Sequence, residues 1–318
     1  MKVAQTMTGQ LVVATADLSQ RAQYCCPKCQ QPVVLKKGAT KAPYFAHQTS
    51  ILGHGESQIH QLGKQAIGQL AALLHYQVQY EVAVNHQQRA DVLLQKQQPV
   101  VIEYQCSPLT ITQLTARTHG YQASGLTVWW VVGQRYWPQH HHLSAQQLAF
   151  IQYRPDWGFY LVGYQPQQQQ WLLYHHIVTF DFNGYWWQVE RLNYHQWAAL
   201  LQRPQQLVIR NYRKPTYLQQ QQQLQKKLVR MQPDLMALQA ACYQRGYRLQ
   251  AVPRWCYCRQ WVPPIYQQSQ FSSRVAWWLT AQTITDYRPQ RLHQPLLPAE
   301  LMASWGRHQL NQAQKTKA

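Results

Sequence analysis

Ile59, Leu62, Ala66, Leu70 and Leu73 recur at the three-and-four spacing of one helix face, which predicts a helix over residues 56–75. Glu56, His60 and Lys64, four residues apart, form a polar line along one side of it. Three short runs then alternate or sit continuously apolar over 77–84, 89–95 and 99–105, which predicts three strands. A helix is expected over about 109–123. The apolar run Leu126-Thr127-Val128-Trp129-Trp130-Val131-Val132 reads as a buried strand. The order α-β-β-β-α-β predicts an α/β fold, a mixed sheet with flanking helices. Before this core, Leu11-Val12-Val13-Ala14 and Pro32-Val33-Val34-Leu35 frame a cysteine knuckle, and a basic turn at 36–41 leads into Tyr44-Phe45-Ala46-His47. After residue 150 the composition shifts to Gln, Trp and Tyr, and an α+β domain is expected. There, Gln165–Gln170 is a polar break, Tyr217–Arg230 and Met236–Gln244 read as helices, and Arg248–Cys258 reads as a strand with a cysteine-containing turn. These shifts divide the chain into 1–50, 51–150 and 151–318.

The chemistry concentrates in one hairpin. Lys96-Gln97-Gln98-Pro99 is a turn, and a hairpin centred on Gln97 sets Asp91 opposite Glu103. Opposed residues of an antiparallel pair lie roughly 4.5–5.5 Å apart at Cα. Like charges at that distance destabilise a sheet, and a divalent cation between them reverses the effect. Gln105, two residues beyond Glu103, projects from the same face. Asp followed by Glu-x-Gln on adjacent strands is therefore a candidate oxygen site for Mg²⁺ or Mn²⁺, the chemistry of phosphodiester hydrolysis. Glu56 would extend the acidic cluster, His60 would contact phosphate or move a proton, and Lys64 would supply the positive charge that Gln105 lacks.

Charge sharpens this picture. The chain carries 30 Lys and Arg against 11 Asp and Glu, a formal charge of +19. In the first 150 residues the acids are Asp17, Glu56, Glu81, Asp91 and Glu103, so three of five fall in the hairpin and its helix. A basic surface with acids gathered at one place suits an enzyme that attracts a polyanion, and nucleic acid is the expected partner. Arg117 and Tyr121, one helical turn apart, are candidate DNA contacts. The longest apolar runs fall short of the roughly 20 residues that span a bilayer, so no membrane association is expected. The first residues lack a signal-peptide core, and a cytoplasmic protein is expected. No phosphate-cradling glycine loop is present, and no small organic cofactor is expected.

Seven cysteines argue for reduced thiols or a metal rather than a disulfide framework. Cys26-Pro27-Lys28-Cys29 has the spacing of half a zinc knuckle. His47 is the candidate third ligand for Zn²⁺, with Cys25, His54 or a water as the fourth. Cys242, Cys256 and Cys258 read as small buried hydrophobes. His140-His141-His142 and His175-His176 read as surface or loop histidines.

As an ordered set, several motifs resemble the competence protein CoiA family. They are Cys26-Pro27-Lys28-Cys29, Tyr44-Phe45-Ala46-His47, Glu56-Ser57-x-x-His60-x-x-x-Lys64, Arg89-Ala90-Asp91-Val92, Ile102-Glu103-Tyr104-Gln105-Cys106-Ser107 and Arg117-x-x-x-Tyr121. The resemblance covers about residues 20–133 and implies a restriction-endonuclease-like core of the PD-(D/E)XK type behind a small zinc-ribbon-like unit. It implies Asp91, Glu103 and Gln105 at the core active-site positions, with Glu56, His60 and Lys64 on the preceding helix. It further implies a metal-dependent deoxyribonuclease, or DNA-processing factor, that acts on incoming, chiefly single-stranded DNA in competence and recombination, alongside recombination proteins. The wider superfamily usually carries Lys where Gln105 stands. A second reading is a nuclease fold that binds DNA or mediates recombination without turnover, and a third is a zinc-stabilised RNA-binding protein.

Overall fold

The computed structural model describes residues 2–27, 30, 32–38, 42–47, 57–85, 88–95, 97–203, 207, 212–257, 260–280, 291–292, 294–298 and 300–301. The chain divides into two compact units, 1–57 and 58–318. In the first, β1 (Val3–Thr6), β2 (Leu11–Val13), β3 (Tyr24–Cys25), β4 (Pro32–Lys36) and β5 (Tyr44–His47) form an antiparallel sheet in the order β2-β1-β3-β4-β5. Ala4, Tyr24, Cys26, Val33, Leu35 and Phe45 close its core.

The second unit opens with α1 (Gln58–Leu73), β6 (Gln77–Asn85), β7 (Gln88–Gln95), β8 (Val100–Gln105), α2 (Ile111–Ala123) and β9 (Thr127–Val132), in the expected order. A short α3 (Ala145–Ala149) and β10 (Gln152–Arg154) follow. Then come β11 (Gly158–Gln165), β12 (Gln170–Phe180), β13 (Gly184–Leu192) and α4 (Tyr194–Gln202). Among the described residues the further α-helices are α5 (Tyr217–Val229), α6 (Pro233–Tyr243) and α7 (Gln270–Leu279). The large sheet runs β13-β12-β11-β9-β8-β7-β6, with β10 paired to β11. It passes through residue 150, where the composition changes, so β11–β13 belong to the same layer as the hairpin. β9 lies parallel to both β8 and β11, while the other neighbours are antiparallel.

One face of the sheet packs on α1 and α4 through Ile67, Leu70, Val92, Ile102, Tyr104 and Trp197. The other packs on α2 and α3 through Leu114, Trp130, Leu148 and Phe150. α2 is sharply bounded. Thr110 and Gln113 make a reciprocal capping box at its start. At its end Gly125 sits at φ +71°, with Gly125 N–H on Gln122 O and Leu126 N–H on Tyr121 O, a Schellman closure.

Helices α5–α7 surround a core of their own that includes Leu224, Leu235, Cys242, Cys256, Phe271 and Val275. Asp181, buried in the β12–β13 turn, accepts from the amides of Gln270 (2.8 Å) and Phe271 (3.0 Å) and so ties the start of α7 to the sheet. The segment expected as a strand from Arg248 instead forms two 3₁₀ turns, 249–251 and 254–256. Pro253 has no N–H for a ladder and caps the second turn, which accounts for the difference. His175, expected at the surface, is fully buried on β12, its Nδ1 2.7 Å from Nδ1 of His176.

Candidate functional site

The β7–β8 register pairs Val92 with Ile102, Leu93 with Val101 and Leu94 with Val100. Continued by one residue, it sets Asp91 against Glu103. The two carboxylates nonetheless engage different sides of the sheet. Tyr76, just before β6, and Val78 on it pack on the α1 side, whereas Val82 and Val84 of β6 pack with Tyr121 on the α2 side. On β7, Ala90 packs with Tyr121 but Val92 with α1. Both strands therefore change face within one residue, at 81 and 91, between the paired positions Tyr80↔Val92 and Val82↔Ala90. Glu81 carries the distortion, with φ at +56°, a left-handed value that a non-glycine residue seldom adopts.

Asp91 consequently reaches α1. Its Oδ2 lies 3.1 Å from Nε2 of His60 and accepts from the Tyr104 amide at 2.9 Å. The His60 ring lies nearly parallel to that of Tyr104, 6.0 Å between centroids. Burial opposes the Asp91 charge, but His60, the Tyr104 amide and Arg117 hold its carboxyl below the usual range. Glu103, almost fully buried, turns to α2, where Arg117 donates to Oε2 at 2.5 Å and the Tyr121 hydroxyl donates to Oε1. Burial first, and then the charge of Asp91, push its carboxyl up to about 7 against the pull of Arg117 and Tyr121. Two carboxylates thus sit close enough to oppose each other, one ionised and one resisting ionisation.

Gln105 is buried and donates through Nε2 to the carbonyl and hydroxyl of Ser107, at 2.7 and 3.0 Å. The Gly133 amide, just past β9, bonds its carbonyl at 2.9 Å. Lys64 departs from its expected role. It is 6% exposed and its ammonium pairs with Glu81, which also takes Arg89 Nε at 2.6 Å. In this arrangement Lys64 neutralises a carboxylate and is not open to a phosphate. Tyr121 is also corrected: at 0% exposure, with its hydroxyl on Glu103, it has no face for a base. Arg117, one-third exposed, pairs with Glu103 in place of the expected DNA contact. Glu81 lies outside the motifs, and Arg89 and Ser107 stand inside them without an assigned role. The rarity of acidic residues was the available signal for Glu81, together with its place opposite Asp91 in the β6–β7 register.

Glu56, Cys29 and His54, and the side chain of His47, lie outside the described residues. Cys26 is buried, and its carbonyl accepts from the Gln30 amide at 2.8 Å. Among the described residues no three His, Cys, Asp or Glu side chains gather as a metal cluster. A magnesium-type ion binds through one or two carboxylates and fills its shell with water and phosphate, so Asp91 and Glu103 would share one only where Glu103 leaves Arg117 and turns toward Asp91. Burial is the larger cause of the raised Glu103 carboxyl, and the second, the charge of Asp91, is what such an ion would relieve. Cys106 is not a nucleophile candidate: burial first, then Asp91, push its thiol up to about 11. A cleft of about 870 Å³ opens near Val100 and Thr127, at the opposite ends of β8 and β9 from Glu103 and Val132, and no carboxylate is among the described residues that line it. No described helix is long and apolar enough to cross a membrane.

Two family models match in sequence order. Residues 10–51 match "Competence protein CoiA, N-terminal domain", and residues 56–205 match "Competence protein CoiA, nuclease-like domain". The chain is 29% identical over 195 residues to the competence protein CoiA of Bacillus subtilis strain 168, covering 57% of this chain and 50% of that protein. It is 48% identical over 50 residues to the Druantia protein DruB of Escherichia coli, covering 16% of this chain and 8% of that protein. The chain thus spans half the length or less of these curated relatives. No solved structure matches it. The nuclease-like match spans α1 to α4, and so contains Asp91, Glu103, Gln105, His60 and Lys64 on their shared sheet and helix. On these matches, the chain belongs to the competence protein CoiA family.

Proposed function

We infer that this chain is a metal-dependent DNA nuclease, or DNA-processing factor, that acts during natural competence and recombination. The observation that carries this reading is the opposed pair Asp91 and Glu103, in which burial first and then the charge of Asp91 raise the Glu103 carboxyl. Together with water, Asp91 and Glu103 would hold Mg²⁺ or Mn²⁺. When bound, the ion supplies an activated water and neutralises charge on the scissile phosphate. His60 orients Asp91 through its Nε2 contact. Arg117, which already shares Glu103, becomes available to a phosphate wherever a cation takes over that carboxylate. Gln105 adds a fixed polar group without charge, and Glu56 would extend the acidic set from the start of the helix.

A second reading rests on a specific observation. Each nearby cation is already matched inside the fold, Arg117 with Glu103 and Lys64 with Glu81. That arrangement suits a nuclease fold that binds DNA or serves recombination proteins without turnover. Labelled single- and double-stranded DNA incubated with Mg²⁺ or Mn²⁺ separates the two. Cleavage that disappears in Asp91→Ala and Glu103→Ala, with DNA binding retained, supports the enzyme. Absence of cleavage with either ion, in protein that binds DNA, leaves the binding role.

A further inference from the structure

The helical region after α4 lies beyond both matched segments. From 212 to 280 it holds ten Lys and Arg and one acidic residue, Asp234. Asp234 stands at the first turn of α6, the far end of that helix from Tyr243. At the near end the chain reads Tyr243-Gln244-Arg245-Gly246-Tyr247-Arg248, and every one of these six residues is exposed. The run is not a loose loop. Gly246 adopts φ +77°, its amide bonds Tyr243 O at 3.0 Å, and the Tyr247 amide bonds Cys242 O at 3.0 Å. This is a Schellman closure, and it fixes the backbone that presents both tyrosines. Cys242, directly beneath, is fully buried in the helical core. Tyr243 is 76% exposed and Tyr247 is 48% exposed, and the Tyr247 ring packs 4.6 Å from that of Trp278.

Two aromatic rings carried on this fixed backbone, one of them packed on Trp278, interleave with two exposed arginines, of which Arg245 also donates to the Ala241 carbonyl at 3.5 Å. The set matches the needs of an unpaired strand. Its bases expose π-faces for stacking and its phosphates take Arg. A duplex hides those faces. We propose that the Tyr243–Arg248 cap, with Trp278, is a binding platform for single-stranded DNA. The choice of DNA over RNA rests on the proposed function; the platform itself does not.

The test uses the full chain in EDTA, so that no cleavage occurs, and reads fluorescence anisotropy of labelled oligo-dT. Tyr243→Ala should weaken binding about tenfold or more without changing the salt slope. Tyr243→Phe should restore it. Arg245→Ala with Arg248→Ala should lower the slope of log K against log salt by about 1.4. Melting temperature should not change in Tyr243→Ala, because that ring is mostly exposed. Oligo-dT binding unchanged in both the tyrosine and the arginine variants would overturn the proposal. So would tighter binding to a duplex or to oligo-rU of equal length, or an effect confined to anionic vesicles. Because the assay is metal-free, its failure is distinct from failure of the nuclease reading.

Discussion

Glu103 shows how one residue can be stabilised by its partners and still be costly to ionise. Its carboxyl is raised from the ordinary 4.5 to about 7, so the folded chain binds that proton more tightly than the unfolded chain. Between those two values stability should therefore fall as pH rises, the reverse of the usual carboxylate. Asp91 behaves normally: its depressed value contributes stability above its ordinary 3.8 that is lost on acidification. Urea midpoints in EDTA from pH 4.5 to 7 should decline for the native chain, and Glu103→Gln should flatten that slope. Affinity for Mn²⁺ should rise over the same interval, since the ion requires the deprotonated form. The register that opposes Asp91 and Glu103 was legible from a four-residue turn and the apolar alternation around it. Their true partners were not. Arg117 lies 14 residues beyond Glu103 on a different element, and no periodicity links the two. Lys64 was legible as a cation near the site, but its pairing with Glu81 depends on a backbone distortion that no pattern announces.

That distortion belongs to the scale of elements. Period-two alternation predicts which face a strand residue takes only while the strand remains regular. At Glu81 the left-handed φ exchanges the faces of β6, and β7 follows at Asp91. This is why two residues directly opposed across β7 and β8 contact different helices. A second device at this scale is Asp181, whose carboxylate accepts from two amides at the start of α7 from a turn in the sheet. Asp181→Ala removes both bonds from a buried place and should cost about 1–3 kcal/mol in urea unfolding. Asp181→Asn, which keeps one acceptor, should cost less. Existence and order of the elements from α1 to β9 were readable because their apolar periods are strong. The 3₁₀ turns around Pro253 were not, because a short run with Trp and Tyr satisfies a strand pattern until its donors are counted.

At the scale of the whole molecule, the positive charge that suggested a polyanion partner is spread over both halves, whereas the carboxylates of the candidate site are confined to one end of the large sheet. The change of composition at residue 150 suggested a domain boundary, yet the sheet continues through it. Apolar runs reveal strands, but not which distant strand they join, and the parallel partner of β11 is such a distant one. That topology has a kinetic consequence. β6-β7-β8 and β11-β12-β13 each pair neighbours along the chain, so both can form by closing short loops. Among the described strands β9 alone must find parallel partners on both sides, at larger sequence separation. Pulsed hydrogen exchange during refolding should show amides of β9 protected after those of β7 and β12. The Gly133 amide, which binds the carbonyl of Gln105, arrives with β9. The strand that bears Glu103 would then be locked in place only by the last piece of the sheet to dock, and a chain stalled before that step would have the charges but not the site.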